Sequence, residues 1–70
     1  AMHINGKALK RARLERGYSL EDVASRIAVS RQTIFNWENE RSRPHPLMVR
    51  GLATVLGTSV KYLTTEEGQA

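Results

Sequence analysis

The sequence predicts an all-α domain built from five short helices. Apolar residues recur at three- and four-residue intervals in separate stretches, most plainly Leu20, Val23, Ala24, Ile27 and then Val49, Leu52, Ala53, Leu56. Between the stretches stand residues that start or stop helices. Asn5, Ser19, Ser30 and Ser59 suit N-caps, Pro46 suits a first helical position, and Gly17 and Gly57 suit C-terminal ends. Seventy residues hold one domain and bury little surface, so stability has to come from good packing or from a partner.

The first helix is expected over residues 4–16, with Leu9, Ala12 and Leu14 as its apolar contacts and Tyr18 packing just beyond it. Arg16 stands where a cation favours the helix end. The second helix covers residues 19–28, with Glu21 and Asp22 in its first turn, and the third covers residues 31–39. Pro44 and Pro46 end a polar, basic loop and open the fourth helix, which runs toward Gly57. His45 is a candidate cap for that helix or a phosphate contact. In the last short helix Val60 and Leu63 point inward and Tyr62 lies near the surface. Residues 1–3 are expected to be a disordered N-terminus or cloning remnant, residues 4–64 the domain, and residues 65–70 a frayed tail or linker start.

The third helix has two unlike faces. Ile34 and Trp37 belong to the core, whereas Arg31, Gln32, Thr33 and Asn36 are side chains that read base edges, Arg on guanine and Gln or Asn on adenine. A short helix, a tight turn and a second helix with such a polar face describe a helix-turn-helix. Phe35 shares neither face cleanly. It either tucks against the core's edge or stays exposed to meet a thymine methyl or a sugar.

Residues 9–63 resemble, in one continuous register, the phage-repressor and Cro-type helix-turn-helix family, also called the xenobiotic-response-element family. The match is carried by Leu9 to Arg13, Gly17-Tyr18-Ser19, Val23-Ala24, Val29-Ser30, Ile34 with Trp37-Glu38, Pro44, Leu52-Ala53, Leu56-Gly57 and Val60 to Leu63. The resemblance implies a compact five-helix, lambda-repressor-like DNA-binding domain and an ion pair between Arg13 and Glu38. It also implies dimers on two half-sites about one helical turn apart. Three positions depart from the family pattern. Leu20 replaces a Gln that often contacts a phosphate, and Ala28 replaces the Gly of the turn, where a positive φ costs Ala roughly 1 kcal/mol. Glu40 replaces a Gly after helix three, leaving Asn39 as the residue expected to adopt the left-handed cap.

Charge agrees with a polyanionic partner. The net charge is +4, with Lys7, Lys10, Arg11, Arg13 and Arg16 before the motif and Arg41, Arg43 and Arg50 after it. There is no cysteine, so neither a disulfide nor a thiolate metal site can staple the fold. His3 and His45 lack metal-like partners at helical spacing, and Asp22 is the sole Asp. No Gly-rich phosphate loop, secretory signal or membrane-length apolar run is present, which points away from an enzyme and toward the cytoplasm. No cofactor or small-molecule ligand is expected.

The leading expectation is a sequence-specific, double-stranded DNA-binding domain of a transcriptional regulator, a repressor acting as a homodimer. Arg31, Gln32, Thr33 and Asn36 would read bases, while Ser30, Ser19, Arg41 and Arg43 would hold phosphates. The alternative is an antitoxin-like or adaptor module on the same fold, with the fourth and fifth helices carrying a protein contact.

Overall fold

The computed structural model describes residues 3–64, and the expectations for residues 1–2 and for the tail at 65–70 lie outside the described residues. The helices are α1 (Gly6–Glu15), α2 (Leu20–Arg26), α3 (Arg31–Glu38), α4 (Pro46–Leu56) and α5 (Val60–Thr64). Each starts where a side chain or a proline replaces the missing intrahelical partners of the first turn. Asn5 accepts the Lys7 and Ala8 amides at 3.0 and 3.1 Å, so α1 begins at Gly6 and Ile4 stays outside the helix and buried. Ser19 and Asp22 form a reciprocal capping box on α2. Ser30 accepts the Thr33 amide at 3.1 Å. His45 Nδ1 accepts the Leu47 amide at 3.1 Å, and Pro46 opens α4.

The helix ends share one device. Gly17, Ala28, Glu40 and Gly57 all have positive φ. At each, the next residue's N–H reaches back to a carbonyl five positions earlier: Tyr18 to Arg13, Val29 to Ala24, Arg41 to Asn36 and Thr58 to Ala53. This is the closure of a Schellman motif, which satisfies carbonyls that the helix cannot. It also corrects the expectation for Asn39, which sits at φ −98° while Glu40 takes the left-handed position at φ 57°. The reason lies in the closing bonds: Glu40 N–H to Trp37 O and Arg41 N–H to Asn36 O put the left-handed residue one place beyond Asn39. Asn39 instead donates its side-chain amide to Phe35 O at 2.8 Å.

The core is a single cluster of Ile4, Leu9, Ala12, Val23, Ala24, Ile34, Trp37, Val49, Leu52, Ala53, Leu56 and Leu63. Within it α2 packs against α3, α1 against α3 and α5, and α4 against α5 and α2. Leu14, expected as an α1 contact, is 56% exposed. The buried stripe of α1 runs through Leu9, Ala12 and Arg13, and Leu14 falls one residue past it on the helical wheel. Arg13 therefore fills a place that an apolar side chain would ordinarily hold.

Two ties fix the ends of α1. Gly6 donates its N–H to the Glu40 carboxylate at 2.9 Å, and a Cβ at Gly6 would lie 2.1 Å from the Glu38 carbonyl oxygen. At the other end, Arg16 Nε donates to Leu56 O at 3.0 Å, so it caps α4 rather than serving α1 alone. His3, grouped by the sequence with the N-terminal remnant, stands 3.4 Å from Glu40 Oε1. No described helix is long and apolar enough to cross a membrane.

Candidate nucleic-acid interface

Helix α3 is held from behind and open in front. Ile34 is 0% and Trp37 5% exposed, whereas Arg31, Gln32 and Phe35 are exposed and Thr33 and Asn36 half-buried. The rear anchor is extended by Glu38, whose carboxylate accepts from Arg13 Nε at 2.6 Å and from Arg13 Nη2 at 3.2 Å. Arg13 Nη1 donates to Tyr18 O at 2.9 Å, so one guanidinium joins α1, the segment entering α2 and the end of α3. With the pair's side chains 9% and 5% exposed, neither charge has much water to turn to.

On the front edge the polar residues are linked to one another. Gln32 Nε2 donates to Asn36 Oδ1 at 3.1 Å, a contact one turn along the helix. That bond leaves the Gln32 carbonyl and part of the Asn36 amide group uninvolved, a donor and an acceptor side by side. The Ser30 and Thr33 hydroxyls lie 2.7 Å apart at the start of α3. Leu20, Arg31, Gln32 and Phe35 line a cleft of about 280 Å³ between the start of α2 and the front of α3. The Arg41 guanidinium carbon lies 5.8 Å from the centre of the Phe35 ring, near enough for a cation–π contact. Arg43 is exposed in the loop before α4.

Ser19 is engaged differently. Its Oγ accepts the Asp22 amide at 3.0 Å and its own N–H donates to Asp22 Oδ2 at 2.8 Å. The Ser19 N–H, then its hydroxyl, hold the Asp22 carboxyl below the usual carboxylate range, and Arg26 adds to the effect. Arg26 itself lies over the Tyr18 ring at 4.3 Å. The capping box was readable as Ser-x-x-Asp at the head of an apolar run. The Glu40 tie to Gly6 had no comparable local signal. Among the described residues no group of three or more His, Cys, Asp or Glu could hold a metal ion.

Two short helices packed together across a tight turn, the second anchored behind and presenting linked polar side chains in front, define a helix-turn-helix protein. A helix-turn-helix family model matches residues 9–63, and the chain belongs to that family, the phage-repressor and Cro type. A protein of Methanothermobacter thermautotrophicus, provisionally named as an HTH-type transcriptional regulatory protein, is 45% identical over 42 residues, or 60% of this chain. Among solved structures, a SinR protein/SinI protein complex superposes with a TM-score of 0.81 at 28% identity over 91% of this chain. SinR, the master regulator for biofilm formation, has been solved in complex with DNA. That structure gives 0.75 at 28% identity over 81% of this chain and 95% of that one. The chain spans 14% of the Methanothermobacter relative and 63% of the SinR chain in the first complex.

Proposed function

We propose that residues 4–64 form the sequence-specific, double-stranded DNA-binding domain of a transcriptional repressor, with α3 seated in the major groove. The observation that carries this reading is the exposed edge of α3, where Arg31, Gln32 and Asn36 stand outward while Ile34 and Trp37 are locked into the core. A rigid helix with hydrogen-bonding side chains on its outer edge can match base edges without having to order itself first. The DNA-bound SinR structure, which this chain resembles over most of its length, supports the same choice. Arg31, Gln32, Thr33 and Asn36 read bases. Ser30, Ser19, Arg41 and Arg43 hold phosphates, which set position and carry no sequence information. The protein works in the cytoplasm as a homodimer on two half-sites, and it is not an enzyme.

The test has two parts. Selection of bound duplexes from a random pool should yield a recurring sequence, and binding to random duplex should weaken steeply as salt rises. No enrichment together with a flat salt response would move the assignment to an adaptor that contacts proteins through α4 and α5.

A further inference from the structure

We infer that the cleft between Leu20 and Phe35 receives the C5-methyl group of a thymine, making these two side chains readers of one base pair in the operator. The inference rests on the reading of α3 as the DNA-reading helix. Its own observation is the composition of the cleft: two apolar side chains, Leu20 and Phe35, are flanked by Arg31 and Gln32. Phe35 remains 38% exposed on an edge that is otherwise polar, so folding alone leaves its ring partly in water. Leu20 belongs to the partly buried residues packed on the core, which fixes that wall. On the other side the Arg41 guanidinium lies over the Phe35 ring.

The occupant follows from what a duplex offers. In the major groove the base edges are hydrogen-bonding atoms, except that thymine projects a methyl group beside its O4 acceptor. A notch with apolar walls and a rim of donors suits that pair of features, the methyl between Leu20 and Phe35 and O4 toward Arg31 or Gln32. The positive charge of Arg31 and Arg41 around the notch favours a polyanion over an apolar protein side chain as the visitor.

The experiment removes the methyl and nothing else. Duplexes recovered by the 70-residue chain from a random pool are resynthesised with uracil at each thymine in turn, and binding is measured at one salt concentration. One thymine in each half-site should bind about fourfold more weakly as uracil, the factor expected for one buried methyl. In Phe35→Ala the thymine-to-uracil ratio at that position should fall to near one, and in Phe35→Leu most of it should persist. Thermal melting checks that each variant is folded, and Phe35→Gln replaces the Ala variant where that one is not. Neutral uracil at every thymine, or an undiminished ratio in Phe35→Ala (or in Phe35→Gln where it stands in for the Ala variant), would overturn the methyl contact while leaving DNA reading by α3 intact. Failure to enrich any duplex would instead overturn the reading beneath it.

Discussion

The Glu40 carboxylate accepts the Gly6 amide at 2.9 Å while Glu40 itself holds the left-handed position that ends α3. One residue thus strains its own backbone and caps the N-terminus of another helix. Ala28 has the same kind of backbone, at φ 60°, but its methyl side chain caps no other helix to offset it. A left-handed non-Gly residue costs about 1–2 kcal/mol, and glycine gives back about 0.5–1 kcal/mol through the greater freedom of the unfolded chain. Ala28→Gly should therefore stabilise the domain by about 0.5 kcal/mol. Glu40→Gly should lower stability, because losing a helix cap costs about 0.5–2 kcal/mol. Urea unfolding of the two variants checks the signs; equal gains would mean that the Glu40 cap contributes nothing.

The Arg13–Glu38 pair should behave as a unit. Removing one partner leaves the other buried and uncompensated, at about 3–5 kcal/mol, whereas replacing both with apolar residues of similar size should cost much less than twice that. Arg13 also loses its bond to Tyr18 O, so its removal should be the worse of the two single changes. A double-mutant cycle measures the coupling directly. Additive losses would show that the two side chains act independently despite their 2.6 Å contact.

Asp22 sets an acid limit. Its folded pKa is lowered by the bonds from Ser19, so its contribution is fully present above the unfolded value of about 3.9 and is lost as pH falls through the folded one. Asp22→Asn keeps the size of the side chain and removes its titration. The stability gap between the native chain and this variant should hold from pH 7 to about 5 and close on further acidification. Denaturant unfolding across that range reads it. A gap that stays constant to pH 3 would mean that the capping box does not depend on ionised Asp22.

What was legible in the sequence was local. Caps such as Asn5, Ser19 and Ser30 signal within three residues, and the core face of α2 and α4 repeats within one or two turns, so both could be read from the chain alone. The positive φ at Ala28 followed from its place in the family's turn. The Arg13–Glu38 pair that the family resemblance implies is present, and Leu14 was misplaced because helical periodicity alone does not put an arginine in the buried stripe that Arg13 occupies. Gly6, Glu40 and the tie from Arg16 to Leu56 O join segments 34 and 40 residues apart, beyond any periodic or motif signal. The polar edge of α3 was visible as residue types, and the bond from Gln32 to Asn36 spans a single helical turn, but the cleft beside Phe35 needed α2 packed against α3 to bring it into being.

That polar edge gives the last prediction, a separation between readers and holders. Arg31, Gln32 and Asn36 stand on the front of α3, where a side chain reaches base edges. Changing Arg31 or Gln32 to Ala should cost about 1–3 kcal/mol on the selected operator and much less on random duplex, because only base contacts carry sequence information. Asn36→Ala should do the same, and its loss should not add to that of Gln32→Ala, since the two amides are bonded at 3.1 Å and position each other. Arg43→Ala should weaken both duplexes about equally and make the salt slope shallower by roughly one unit per lost phosphate contact. Arg41→Ala should show that same salt signature plus a loss on the operator alone, because it also removes the cation that sits over Phe35. One binding series, with both duplexes at several salt concentrations, separates these patterns. If Arg31, Gln32 and Asn36 variants all keep full preference for the operator, α3 is not the reader and the contacts that choose the site must lie on another element.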